Sequence, residues 1–255
     1  MDRIRFMNIE IDNVSLDGAV QIIKRRIEDK EKMYVVTPNV DHIVKLQNNK
    51  AFLKAYNNAG LVAVDGTPII IIAKWYGTPL KEKITGPLLV ERVIELAATQ
   101  GYSVFFLGAK PGVGDQAAKK LLIKYPGFKY VGFYSPPFGF EKNIKETAKI
   151  IETINLAKPD IVIAGMGSPK TEIFLEKVYM ELDASVSLSI GAAIDFFAGT
   201  VKRCPQWMNK IGMEWFYRFL KEPRRMFKRY FMEDVRFLSL VLKYRNVKED
   251  SNHGF

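Results

Sequence analysis

From residue 16 to about residue 200, short apolar runs alternate with stretches whose apolar positions recur at helical spacing. Runs at 33–37, 61–64, 102–107, 130–133, 161–164 and 186–190 predict strands. They are continuous rather than alternating, as in strands covered on both sheet faces. Helices are predicted at 16–30, 41–58, 86–100, 112–125, 142–157 and 170–181; in the first, Val20, Ile23 and Ile27 share one face. Ser15 and Thr85 stand where N-caps belong. A fainter hairpin pattern lies near 7–14. Strand and helix in alternation predict an α/β fold, a Rossmann-like parallel sheet flanked by helices.

In such sheets ligands bind beyond the carboxyl ends of the strands. Those ends read Thr37-Pro38-Asn39, Val64-Asp65-Gly66, Leu107-Gly108-Ala109, Gly165-Met166-Gly167-Ser168-Pro169-Lys170 and Gly191-Ala192-Ala193. Glycines there let a phosphate or backbone come close. Asp65 puts a carboxylate at the mouth of the sheet, where it can serve as a general base. Taken alone, it reads slightly better as the cap of a helix starting near Pro68. No Gly-x-x-x-x-Gly-Lys-Ser/Thr and no well-placed Gly-x-Gly-x-x-Gly occurs, which disfavours ATPase and dinucleotide chemistry. Two histidines and no Asp-x-Asp pair predict no metal and no cofactor; His42 reads as structural.

Past residue 200 the pattern changes. Trp207, Ile211, Trp215 and Phe219 recur every four residues, Pro223 interrupts, and a second helical pattern runs through Phe227, Phe231, Phe237 and Val241. The formal net charge is +10, and residues 202–248 hold thirteen Lys and Arg against four Asp and Glu, so nine of those charges sit there. The chain thus divides into an α/β catalytic domain, 1–200, and a C-terminal basic amphipathic helical appendage, 201–255. Basic helices with Trp and Phe suit an anionic membrane surface. The same apolar face could instead pack on the body or in a homo-oligomer in solution. No apolar run approaches the roughly 20 residues that span a bilayer. The single Cys204 and the lack of a signal-like leading run point to a reducing, cytoplasmic setting. A nucleic-acid-binding protein would also carry a basic segment, but would leave the polar strand ends unexplained.

At these residues the chain resembles the WecG/TagA/CpsF family, glycosyltransferase family 26. Besides the strand ends, the resemblance rests on Phe106-Leu107-Gly108-Ala109-Lys110-Pro111-Gly112-Val113, Ser135-Pro136-Pro137-Phe138-Gly139-Phe140 and Ala157-Lys158-Pro159-Asp160. It continues through Ala193-Ile194-Asp195-Phe196-Phe197-Ala198-Gly199, Val201-Lys202-Arg203-Cys204-Pro205 and Glu214-Trp215-Phe216-Tyr217-Arg218 to Glu222-Pro223-Arg224-Arg225. The resemblance implies inverting, metal-independent transfer from a UDP-sugar donor to an undecaprenyl-diphosphate-linked acceptor sugar, in teichoic acid, capsule or related polymer synthesis. The enzyme would be peripheral on the inner face of the cell membrane. The resemblance makes Asp65 the general base, reversing the capping preference. The family's pocket residues match Thr37 and Asn39. Lys83, Gly108, Gly165, Gly167, Thr171 and Asp195 are further candidates for substrate contact, and Arg218, Arg224 and Arg225 of the basic segment are expected to reach the diphosphates of donor or acceptor. The chain departs from the family pattern at Lys83 (usually Arg), Leu88 (usually Asp) and Thr171 (usually Gln), which leaves the sugar open. Lys keeps the charge of Arg without its planar fork. A non-catalytic membrane-surface paralogue or a basic nucleotide- or nucleic-acid-binding protein is the alternative.

Overall fold

A computed structural model describes residues 2–201, 220 and 235–252. The chain opens with an antiparallel hairpin, β1 (Arg3–Phe6) and β2 (Ile9–Asp12). It continues as α1 (Leu16–Glu28), β3 (Met33–Val36), α2 (Val40–Leu46), α3 (Lys50–Asn57), β4 (Leu61–Val62), α4 (Thr67–Trp75) and α5 (Gly86–Gln100). Then come β5 (Ser103–Gly108), α6 (Val113–Lys124), β6 (Lys129–Tyr134), α7 (Ile144–Ala157), β7 (Ile161–Gly165), α8 (Lys170–Val178), β8 (Val186–Ser189) and α9 (Ala193–Ala198). The last described helix is α10 (Val235–Asn252).

The six main strands form one parallel sheet in the order β4-β3-β8-β7-β5-β6. Two apolar layers cover it. One gathers the hairpin, α2, α3, α4, α7, α8 and α10; the other gathers α1, α5, α6 and α9. The chain leaving β8 enters the second layer through α9, while those leaving β7 and β3 enter the first through α8 and α2. Connections that part to opposite faces leave a crevice above the strand ends between them.

The predicted 41–58 helix is two helices. Asn49 breaks it, capping α3 by accepting from the Phe52 amide at 3.0 Å. Ser15 caps α1 as read, accepting from the Gly18 amide at 3.2 Å. Thr85 sits at the cap position of α5 but makes no capping bond with its side chain. The hairpin is fastened by Asp12, whose buried carboxylate accepts from Arg3 Nε at 2.9 Å and from the Val62 amide at 2.8 Å.

The helix at the end of the expected appendage is docked on the body. Phe237 and Val241 of α10 are each 4% exposed and belong to the core that also contains Phe6 and Ile69. Tyr76 donates to the Val241 carbonyl at 2.7 Å, and Tyr244 donates to Gln47 Oε1 at 3.0 Å. Packing on the body is therefore the reading met by this helix. Trp207, Ile211, Trp215 and Phe219 lie outside the described residues.

Candidate active site

Asp65 follows β4 by three residues, its amide held by the Pro38 carbonyl at 2.8 Å. The segment before α5 returns alongside, with the Ile84 amide on the Val64 carbonyl at 2.8 Å. This brings the start of α5 to the strand end, and the Gly86 amide donates to Asp65 Oδ2 at 3.1 Å. Asp65 therefore does not cap the helix near Pro68, whose cap position is Gly66. It satisfies one of the amides that the N-terminus of α5 leaves open, a task the sequence pattern gave to Thr85.

Thr37, buried just past β3, belongs to the same point. A methyl built on Gly86 would stand 3.0 Å from Ile190 Cγ2, 3.5 Å from Thr37 Oγ1 and 3.8 Å from Asp65 Oδ2. The ends of β3, β4 and β8 thus converge around one glycine. Asn39 caps α2, accepting from the His42 amide at 3.1 Å. Lys83 is half-buried on the segment that returns beside β4.

The glycines at the strand ends divide into two kinds. A Cβ on Gly108 would lie 2.5 Å from the Gly165 carbonyl oxygen, and one on Gly165 would lie 2.4 Å from that of Gly191. These two let adjacent strand ends approach one another. By contrast, a Cβ on Gly167 or Gly191 meets nothing within 4 Å. Those two face open space where a ligand's phosphate could lie. Thr171 is 1% exposed; its hydroxyl accepts from the Met166 amide at 3.0 Å and donates to the Gly167 carbonyl at 3.2 Å. It shapes the turn from behind. Asp195 accepts from the Thr200 hydroxyl at 3.2 Å, closing the end of α9. On the far rim, Lys170 pairs with Glu141 at 3.2 Å and lies 4.6 Å from the ring of the fully exposed Phe138. Arg218, Arg224 and Arg225 lie outside the described residues.

Beneath the crevice lies a polar cluster that the sequence pattern did not reveal. His42 Nδ1 and the Tyr56 hydroxyl are 2.7 Å apart, both groups buried, so His42 has the structural partner its position implied. Burial pushes the Tyr56 hydroxyl well above its usual range, helped by the negative charges of Glu172, Asp65 and Asp41. Lys45 pairs with Asp41 Oδ2 at 2.8 Å. Glu172 is 4% exposed, and burial pushes its carboxyl up to about 7 against the pull of its own amide, Ser189, Ser168 and Lys45. The local signs were present, since Asp41 and Lys45 are spaced i,i+4 and Glu172 follows the Pro169-Lys170-Thr171 turn. Their meeting depends on tertiary contacts.

The family profile described as "Glycosyl transferase WecG/TagA/CpsF family" matches residues 4–251. The chain belongs to the WecG/TagA/CpsF family. It is a glycosyltransferase. It is 27% identical over 226 residues to an N-acetylglucosaminyldiphosphoundecaprenol N-acetyl-beta-D-mannosaminyltransferase of Staphylococcus aureus strain MRSA252, covering 88% of this chain and 87% of the relative. The relative of the same name from strain MW2 is 26% identical over the same lengths. The matched positions of this WecG/TagA/CpsF member run through the strand-end crevice and on through the basic C-terminal segment. Among the described residues no helix is long and apolar enough to cross a membrane, and no group of His, Cys, Asp and Glu could hold a metal ion.

Proposed function

We propose that this glycosyltransferase moves a sugar, with inversion, from a UDP-sugar to the N-acetylglucosamine of an undecaprenyl-diphosphate-linked acceptor in the synthesis of a cell-wall polymer such as teichoic acid. The observation that carries this reading is the Asp65 carboxylate at the mouth of the sheet, fixed by the Gly86 amide beside Thr37. N-acetylmannosamine is the first sugar to try, because the relatives are named for it. Those names specify a β-linked product. UDP-sugars of this kind are α-linked, so one in-line displacement suffices. The acceptor hydroxyl attacks the anomeric carbon from the face opposite the nucleotide while Asp65 takes its proton. Negative charge then develops on the departing UDP. The open backbone at Gly167 and Gly191 offers room for the diphosphate, and Arg218, Arg224 and Arg225 would supply cations, an Arg fork being well matched to phosphate oxygens.

The acceptor's lipid needs a protein that works at the membrane surface. One side of the body suits this. Ile71 and Trp75 of α4 are exposed, as are Leu238 and Leu242 of α10, and the Arg245 guanidinium lies 4.7 Å from the Trp75 ring. Lys74 is exposed beside Trp75 on α4, and Arg236 and Lys243 are exposed elsewhere on α10. An exposed apolar face that carries Trp75 with Lys74 and Arg245 beside it fits an anionic headgroup layer. Docking on the cytoplasmic leaflet would bring the active site to its lipid-bound acceptor.

The test is Asp65→Asn, assayed with a panel of UDP-sugars and a short-chain lipid-diphosphate-GlcNAc acceptor. Removing the basicity while keeping the shape should cost turnover about 100- to 10,000-fold with UDP affinity retained. Turnover near wild type would remove Asp65 from the mechanism.

A further inference from the structure

Glu172 is the buried ionisable group that the reaction scheme leaves unused. We propose that Glu172 is the positioning residue for the Met166–Pro169 turn of the active site, and that it does this work as the neutral acid. The inference rests on the site assignment above and goes beyond it, since it concerns how the crevice is held.

The geometry comes first. Glu172 Oε2, Ser168 Oγ and Ser189 Oγ are all buried, and none closes a hydrogen bond of normal geometry among the described residues, although both hydroxyls are near enough to act on the carboxyl. Buried polar atoms in this condition are costly, and a native fold that keeps three together generally does so for a purpose. Ser189 ends β8, and Ser168 lies in the turn between β7 and α8. Glu172 in the first turn of α8 therefore bridges the two strand ends that border the crevice. Either form can link the two hydroxyls, the carboxylate by accepting from both and the neutral acid by donating to one and accepting from the other. The neutral acid does so without a buried charge on an oxygen that lacks a partner of normal geometry. Ser168 neighbours Gly167, whose α-carbon faces the open crevice. Whatever shifts Ser168 shifts the wall of the proposed diphosphate site.

The neighbours of Glu172 pull it towards the carboxylate, and its burial outweighs them. From α2 come Asp41 and Lys45, but Lys45 is already paired with Asp41. From α3 comes Tyr56, whose hydroxyl is bonded to His42 and feels Glu172, Asp65 and Asp41 together. From β8 comes only the uncharged Ser189. Burial is what holds the proton on Glu172, against the pull of Lys45 and the two serines. The carboxyl's position near 7 means that its proton is lost in the ordinary working range. Ionised, Glu172 carries a buried charge that must draw in water, Lys45 or the serine hydroxyls, and this moves Ser168 and the turn that holds it.

The experiment compares the full-length wild-type chain with Glu172→Gln and Glu172→Ala. Wild-type kcat/KM should fall about tenfold per pH unit above roughly pH 7. Glu172→Gln, which also offers a donor and an acceptor, should keep wild-type activity within about threefold at pH 6 and lose the alkaline fall. Glu172→Ala should be slow at every pH. Coincident falling limbs in wild type and Glu172→Gln, or a Gln variant as poor as Ala at pH 6, would overturn the proposal. Melting temperatures of wild type and Glu172→Gln from pH 4 to 8 give a second readout that needs no substrate. The wild type should lose stability relative to Gln as pH rises from about 4.5 towards 7, because its native state holds a proton that the unfolded chain has released. A flat difference would defeat the role of Glu172 while leaving the transferase reading intact. A sloping difference in a protein that transfers no sugar would defeat that reading, and with it the site role, while confirming the buried acid.

Discussion

Replacing Gly165 by Ala tests whether the strand ends are packed as tightly as the geometry requires. The added Cβ would lie 2.4 Å from the Gly191 carbonyl oxygen and 3.3 Å from that of Ile190. Both atoms are backbone, so no side chain can turn aside. An ordinary carbon–oxygen contact needs close to another ångström, which β7 could gain only by moving away from β8. Its other neighbour blocks the way, because Gly108 of β5 already lies against the Gly165 carbonyl so closely that its own Cβ would stand 2.5 Å from that oxygen. Overpacking of this kind costs about 1–3 kcal/mol, and the lack of any yielding atom places this case near the top of that range. At about 2–4 °C per kcal/mol for a chain of this size, the melting temperature should drop by roughly 5–10 °C. Gly191→Ala is the control, since its Cβ would meet nothing within 4 Å. It should melt like wild type yet bind UDP more weakly if the nucleotide passes there. Thermal unfolding followed by circular dichroism, with UDP titration of both variants, measures the two effects. A Gly165→Ala protein that melts within a degree of wild type would refute the packing argument.

Other outcomes follow from the same structure. Asp12→Asn should lower stability by about 2 kcal/mol, read as a shifted urea midpoint at constant slope, because an amide group replaces a buried acceptor of two hydrogen bonds. Phe237→Ala should cost about 3 kcal/mol by the same measurement, since a buried ring leaves a cavity between α10 and the body; a surface-like loss under 1 kcal/mol would show α10 undocked in solution. Trp75→Glu should reduce co-sedimentation with anionic vesicles severalfold while leaving UDP affinity alone, and unchanged sedimentation would remove α4 from the docking face. EDTA should leave turnover unchanged, and restoration of lost activity by Mg²⁺ or Mn²⁺ would contradict the metal-independent account.

Every strand of the main sheet was legible as a short apolar run; in β3, β5, β7 and β8 burial on both faces leaves that mark, while the edge strand β6 is only half-buried and shows by its aromatic residues. The split at Asn49 was not legible, since apolar spacing continues across it and only the capping bond to Phe52 interrupts the helix. Helix α9 was missed because six residues are too few to show a period. Asp65 was legible by position, but its partner was not: the Gly86 amide lies 21 residues away and arrives through a returning segment. Glycine at a strand end was legible as a need for space, while the sequence could not say whether the space stays open, as at Gly167 and Gly191, or is filled by a neighbouring strand, as at Gly108 and Gly165. The Asp41–Lys45, His42–Tyr56 and Glu172–Ser168–Ser189 groups draw on four separate elements and the turn beside them, and no local pattern joins them.

The interlocked ends of β5, β7 and β8 also limit how such an enzyme can be retargeted. Where one strand's missing side chain is filled by the next strand's carbonyl, that part of the crevice is built from main chain alone and offers no position to vary. A library aimed at a new donor sugar gains nothing from randomising Gly108 or Gly165. It should be spent on the rim, at Lys83, Leu88 and the residues around Gly191, where a new side chain has somewhere to go.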